Sequence, residues 1–111
     1  MSRGGSSIRL RHMLDYAQEA ITLIRGKSRA DLDADRLLNL ALVRLIEMIG
    51  EAASHVPSDE RAWYPGLPWA QIVGMRNRLI HGYDFVDFDI LWQTVVEDLP
   101  ELVAALKRIV P

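Results

Sequence analysis

The side chains best suited to chemistry lie in one octet, Arg76-Asn77-Arg78-Leu79-Ile80-His81-Gly82-Tyr83. Histidine is the side chain that ordinarily titrates nearest to neutral pH, so it can accept and donate a proton during a reaction. Arginine carries a charge that does not titrate, in a planar fork that fits phosphate oxygens. Arg76 and His81 therefore indicate acid–base chemistry on a phosphate. The alternative is that Arg, His and Gly simply cap the end of a helix.

The spacing of Arg76 and His81 constrains how they could act together. On a regular helix of 3.6 residues per turn they lie roughly 140° apart, whereas Asn77 shares a face with His81. One straight helix therefore cannot aim Arg76 and His81 at a single atom. Long side chains, a loosened last turn, or a second copy of the helix across a symmetric dimer would each solve this problem. We expect His81 to lie in the last turn, at the negative end of the helix dipole.

Composition excludes several classes of protein. The chain has 111 residues, half of them apolar and a quarter charged, and it contains no cysteine. Disulfides and thiolate metal sites are therefore ruled out, and we expect a reducing, cytoplasmic location. The apolar runs are far shorter than the roughly 20 residues that cross a bilayer, so no membrane association is expected. Phosphate-loop, zinc and Ser-His-Asp motifs are not evident, and no metal or cofactor is expected.

Charge is unevenly distributed along the chain. The formal net charge is −2, which argues against coating nucleic acid by bulk attraction. In residues 1–30 six basic side chains stand against two acidic ones, whereas residues 84–103 contain six acidic side chains and no Lys or Arg. These stretches are either two solvated faces, or an acidic surface that docks a basic partner while cations serve a local anion site.

The spacing of apolar residues predicts an all-α fold without strands. Steps of three and four residues mark helices at about 8–24 and 33–55, a third helix begins at Pro68 and ends at His81-Gly82, and a fourth follows a cap at Asp89. Pro100 must kink or divide the fourth helix. We expect residues 1–7 to be flexible and residues 8–111 to form one antiparallel bundle of four long helices, or five with the break at Pro100.

Two glycines have predicted structural roles. Gly26 stands where a residue in the left-handed conformation would end the first helix. Gly50 lies inside the second helix, where it costs about 1 kcal/mol relative to alanine. A glycine would be tolerated at this position if another backbone or a ligand comes close there.

The octet resembles the Arg-x4-His motif, extended by x-Tyr, of the HEPN superfamily, and specifically of the HepT-like toxin ribonucleases. The resemblance extends from about Ile8 to Ile109 and includes no departure from the motif. Further landmarks of that family are Arg36, Ile49-Gly50-Glu51-Ala52-Ala53, Leu67-Pro68-Trp69 and Gly74-Met75-Arg76-Asn77.

The resemblance implies a metal-independent endoribonuclease acting on single-stranded RNA. In such an enzyme His81 acts on the ribose 2′-OH or the leaving 5′-oxygen, and Arg76 stabilises charge in the transition state. Asn77 and Arg78 would bind or orient the substrate, and Glu51 would be a buried carboxylate anchoring one of the arginines. The resemblance also makes Tyr83 the acceptor of AMP from a minimal nucleotidyltransferase antitoxin, and implies a homodimer with its cleft between two octets.

An interpretation from a different class uses the same residues without catalysis. In it the chain is a binding module, in which Arg76 and His81 hold a nucleotide or the helices serve as partner of a nucleotidyltransferase. Intact Arg76 and His81 favour the enzyme, whereas the acidic net charge favours the module.

Overall fold

A computed structural model describes residues 2–81 and 85–111, with side chains from residue 5 onward. It has the all-α, HEPN-like architecture that the apolar spacing and the resemblance predict. The helices are α1 (Ser2–Leu23), α2 (Asp31–Ala34), α3 (Arg36–Ser54), α4 (Ser58–Arg61), α5 (Trp69–Val73), α6 (Met75–Leu79), α7 (Phe88–Gln93) and α8 (Leu99–Lys107). None of the helices in the described ranges is both long and apolar enough to cross a membrane.

The core lies where α1, α3 and the C-terminal helices pack together. Its centre consists of fully buried aliphatic side chains, including Leu10, Met13, Leu42, Ile46 and Leu106. Helix α3 begins where the carboxylate of Asp35 accepts a hydrogen bond from the Leu38 amide at 3.1 Å. This cap satisfies one of the donors that a helix start leaves open.

The first helix begins earlier than expected. Residues 2–7, predicted to be flexible, form the first turns of α1, and Ser6 is buried. The Ser6 hydroxyl donates to the carboxylate of Glu60, which is buried in α4. Apolar periodicity could not find this extension, because a polar contact 54 positions away holds it. At the other end Gly26 has a φ of 74°, which confirms its predicted left-handed role.

The predicted third helix is two short helices instead of one. The break falls at Gly74, whose φ of −86° and ψ of 1° interrupt the helical backbone between α5 and α6. The second piece ends at Leu79, before His81, because Ile80 is extended with a φ of −106° and a ψ of 120°. Because the helix ends at Leu79, its carbonyl needs a partner outside the helix, and it accepts a 2.7 Å hydrogen bond from the Asp87 amide.

A small antiparallel ladder follows α6, where no strand was predicted. Strand β1 (Ile80–His81) pairs with β2 (Phe85–Val86), with Ile80 opposite Val86 and His81 opposite Phe85. Two residues per strand are too few for the alternation of polar and apolar side chains that identifies a strand.

The C-terminal segment is divided just before Pro100 by a π-helical turn, as the prediction of a kinked or divided helix allows, and the predicted cap is corrected. Asp87, instead of Asp89, caps α7, because its Oδ1 accepts from the amides of Asp89 at 3.0 Å and Ile90 at 3.1 Å. Helix α7 continues through a π-helical turn at Thr94–Asp98 into α8. Since Pro100 has no amide hydrogen, it suits the start of α8 better than the interior of a continuous helix.

Candidate active site

Arg76 is held in place by a carboxylate from another helix. Its Nε donates to Oε2 of Glu47 on α3 at 2.7 Å, and about half of its side chain is exposed. Arg44 approaches the other oxygen of Glu47 at 3.6 Å. This ion pair uses Nε and leaves the two terminal nitrogens of Arg76, which together form the fork that binds phosphate oxygens.

Gly50 permits the close approach that brings Arg76 to Glu47. A Cβ atom built on Gly50 would lie 3.3 Å from the Ile72 carbonyl oxygen and 3.4 Å from that of Val73. These carbonyls belong to the last turn of α5, which a single residue, Gly74, separates from α6. Another backbone therefore comes close to Gly50, the condition under which a glycine is tolerated here, and the contact is part of the support for Arg76.

His81 lies in β1, outside the helix. Its side chain is 56% exposed, and its Nε2 is 3.9 Å from Oδ2 of Asp87, so the two form an ion pair when the imidazole is protonated. The ring meets that of Phe85 edge to face, with centroids 5.9 Å apart. The expectation of a helical His81 beside the dipole is wrong, and the 140° separation no longer applies, because the backbone turns to an extended conformation at Ile80.

Simple helix capping does not describe these side chains. Arg76 bonds to a side chain on α3, and the carbonyl at the end of α6 is bonded by the Asp87 amide. His81 lies in the extended segment, beside the carboxylate that caps α7. Both side chains are therefore exposed beside a carboxylate, which comes from α3 for Arg76 and from the segment just after β2 for His81.

Arg76 lines two adjoining concave surfaces. The first, the Arg76 groove, has a volume of about 400 Å³ and also contains Asn77, Glu51 and Gly50. The second, wider cleft has a volume of about 850 Å³ and includes Phe85 and Asp87, the two neighbours of His81. The structure thus brings Arg76, Asn77 and Glu51 together in one groove. Phe85 and Asp87, which contact His81, line the second cleft together with Arg76.

Two predicted site residues are placed differently than expected. Glu51 is exposed, and Glu47, one helical turn earlier, is the carboxylate that pairs with Arg76, so the interpretation of Glu51 as a buried anchor is wrong. Arg78 lies in a separate cavity of about 440 Å³ and pairs with Asp98 at 3.5 Å. Residues two positions apart on a helix point to nearly opposite sides, so Arg78 faces away from the Arg76 groove.

Sequence reasoning missed Glu47, Asp87 and Arg29. Arg29 lines the wider cleft and donates to Asp89 at 2.7 Å and Asp33 at 3.0 Å, and the hydrogen bond to Asp89 raises its pKa. Two signals in the sequence could have indicated these residues. Arg44 and Glu47 are three positions apart on one helix, a spacing typical of ion pairs, and Asp87 stands just before a helix, where a capping residue is expected.

Gly82 and Tyr83 lie outside the described residues. Within the described ranges, no group of three or more His, Asp or Glu side chains could hold a metal ion.

Comparison with known proteins shows the family that this chain resembles. Residues 13–109 match a family model described as "Ribonuclease HepT-like". A relative named "Putative RNase TTE0752", from Caldanaerobacter subterraneus subsp. tengcongensis, is 38% identical over 100 residues, covering 90% of this chain and 89% of its own. The "Probable ribonuclease HepT" of Thermococcus cleftensis is 37% identical over 100 residues, covering 86% of this chain and 91% of its own. "Putative RNase MJ1380" of Methanocaldococcus jannaschii is 32% identical over 102 residues, covering 92% and 94%.

The fold and the octet define a HEPN-type helical domain. No solved structure matches the chain. The family model and the relatives each cover most of it, and the chain therefore belongs to the HepT-like ribonuclease family.

Proposed function

We propose that this chain is the toxin of a toxin–antitoxin pair, a metal-independent endoribonuclease in which Arg76 and His81 carry the reaction. The observation that supports this most is the arrangement of those two side chains. Both are exposed, and each lies beside a carboxylate: Glu47 on α3 for Arg76, and Asp87 just after β2 for His81. A ribonuclease family has RNA as its expected substrate.

The reaction needs one group that moves protons and one fixed cation. The ribose 2′-oxygen attacks phosphorus, its proton passes to a base, the bond to the 5′-oxygen breaks, and that oxygen receives a proton. The products are a 2′,3′-cyclic phosphate and a 5′-hydroxyl. His81 acts on the 2′-OH or the leaving 5′-oxygen, and Arg76 stabilises the charge on the phosphorus-centred transition state. Asn77, beside Arg76 in its groove, binds or orients the phosphate.

Cleavage of single-stranded RNA by the purified protein in EDTA tests this proposal. His81→Ala and Arg76→Ala should each lower the rate by about 10²–10³-fold while helical circular dichroism is unchanged. Arg25→Ala, an exposed arginine near the end of α1, is the matched control and should keep the parental rate. Parental cleavage by both site variants would refute the enzyme and favour the non-catalytic binding module.

We also propose a homodimer with its cleft between two copies of the octet. Three large apolar side chains on α3 and β2 are exposed to solvent, namely Leu37 at 80%, Leu40 at 48% and Phe85 at 58%. Leu40 and Phe85 line the same wide cleft as Arg76. A second copy is the occupant that would bury these side chains and bring a second Arg76 and His81 to the cleft.

Light scattering on matched variants tests the dimer. Leu40→Glu should give a monomer and lose cleavage. Ile8→Glu places the same charge at a 56% exposed apolar position on α1 and should leave the dimer intact. A parent that is monomeric at micromolar concentration and fully active would contradict this proposal.

The regulatory partner we propose is a minimal nucleotidyltransferase antitoxin that transfers AMP from ATP to the Tyr83 hydroxyl, with pyrophosphate as the leaving group. In the sequence Tyr83 follows His81 by two positions. An added phosphodiester would place a negative charge near the cations that bind substrate phosphate. Co-expression with the antitoxin should add AMP to Tyr83, measured by peptide mass spectrometry, and none to Tyr83→Phe. Neutralisation of Tyr83→Phe without a stable complex would contradict this account.

A further inference from the structure

A second groove runs between α1 and α3, away from the octet. It has a volume of about 340 Å³, and its polar lining comes from one face of each helix: Arg9, His12 and Tyr16 on α1, and Arg44, Glu51 and His55 on α3. Steps of three, four and seven residues place such side chains on the same face of a helix. Sequence spacing alone could not bring the two sets together, because they lie on separate helices.

The α1–α3 groove is continuous with the Arg76 groove. Arg44 and Glu51 line both of them. Along α3 the eleven positions from Arg44 to His55 span about 16 Å at 1.5 Å per residue. That length accommodates roughly four or five stacked nucleotides at about 3.4 Å each.

We propose that the α1–α3 groove binds the single-stranded RNA that continues from the phosphate held at Arg76. This rests on the proposed ribonuclease function and adds where the rest of the substrate lies. Arg9 and Arg44 offer guanidinium groups to successive phosphates. His12 and Tyr16 offer neighbouring aromatic rings, with centroids 6.1 Å apart and planes inclined by 40°, against which an unstacked base packs.

His55 and Glu51 give the groove its polarity. The carbonyl of Glu51 can only accept, so His55 Nδ1, 2.8 Å away, carries the proton of that hydrogen bond and leaves Nε2 for the ligand. The Glu51 carboxylate repels phosphate but accepts hydrogen bonds from the amino groups of bases. The backbone of the RNA therefore follows the arginines, and a base lies beside Glu51.

Substrate length distinguishes this groove from the reaction centre. We would measure kcat and KM for Arg9→Ala on a dinucleotide, which fits at Arg76 alone, and on a single-stranded 12-mer. The matched control is Arg11→Ala, which removes the same charge from α1 at a residue paired with Asp15 instead of lining the groove. Binding of the fluorescent 12-mer to both variants in a His81→Ala background, as a function of salt, separates affinity from cleavage.

Arg9→Ala should raise KM for the 12-mer about tenfold. It should leave kcat and the dinucleotide reaction at parental values. The slope of log affinity against log salt concentration should become shallower by about 0.7, because the variant neutralises one phosphate fewer than the parent. Arg11→Ala should match the parent in each measurement.

The possible failures point to different conclusions. If Arg9→Ala and Arg11→Ala bind and cleave the 12-mer equally well, the groove proposal is wrong even though the enzyme is active. If the parent cleaves no RNA but Arg9→Ala still weakens binding, the ribonuclease proposal fails and the RNA groove stands. If Arg9→Ala weakens only the complex with an antitoxin, the groove is a protein interface and the RNA assignment is overturned.

Discussion

Replacing Glu47 with alanine removes the carboxylate that orients Arg76 without touching the substrate-binding fork itself. The pair is short, at 2.7 Å, but the two side chains are 48% and 28% exposed. Partly exposed ion pairs contribute about 0.2–1 kcal/mol, and 1 kcal/mol shifts the melting temperature of a domain this size by about 4–8 °C. Glu47→Ala should therefore melt about 1–8 °C below the parent and keep its helical circular dichroism.

The effect of Glu47→Ala on catalysis should be much larger. A displacement of about 1 Å in a positioned group can cost about 10²-fold in rate, so we expect kcat to fall by about 10–100-fold. KM should not rise, because removing a negative charge near the bound phosphate favours RNA by about 1 kcal/mol at 4 Å in water. Glu47→Gln keeps an oxygen that can accept from Arg76 Nε, and its kcat should return to within a few-fold of the parent.

The assay is steady-state cleavage of a fluorescent single-stranded RNA in EDTA. A double-mutant cycle adds the decisive comparison: in an Arg76→Ala background, Glu47→Ala should cause little further loss, because it acts through Arg76. A parental kcat for Glu47→Ala would refute the idea that Glu47 positions Arg76. Equal losses in the presence and absence of Arg76 would refute it as well.

Three stability predictions, each checked by thermal and chemical unfolding, follow from the packing. Gly50→Val should lower the free energy of unfolding by about 1–3 kcal/mol, because the side chain would crowd the α5 carbonyls. Gly66→Ala, where an added Cβ meets no atom within 4 Å, should leave it unchanged, and equal stability of the two variants would contradict the close approach at Gly50. Asn39→Ala should lower the free energy of unfolding by about 1–3 kcal/mol, because it leaves the Leu32 carbonyl without the hydrogen bond that Asn39 Nδ2 donates at 3.0 Å. An unchanged unfolding midpoint would show that this bond is dispensable. Ile46→Ala should lower the free energy of unfolding by about 2–5 kcal/mol, because it leaves a cavity in the core. A loss below about 1 kcal/mol would mean that the surrounding core collapses to fill the cavity.

Much of the fold was predictable because its signals are local. Apolar residues at helical spacing identify α1 and α3 without reference to the rest of the chain. Gly26 and Pro100 mark a helix end and a helix break through torsional preferences that each residue carries with it. The order of side chains in the octet is also a property of the sequence, and with its flanking segments it was enough to indicate the family that the comparisons then showed.

The geometry of the site was decided by contacts that the local sequence does not specify. Glu47 and Glu51 lie one helical turn apart on α3, and only the packing of α5 against Gly50 determines that Glu47 is the one that pairs with Arg76, 29 positions away. The ladder at His81 depends on its pairing with Phe85, which local propensity does not specify. The α1–α3 groove likewise exists only because two helices pack side by side, so its arginines and aromatic rings meet in the tertiary structure alone.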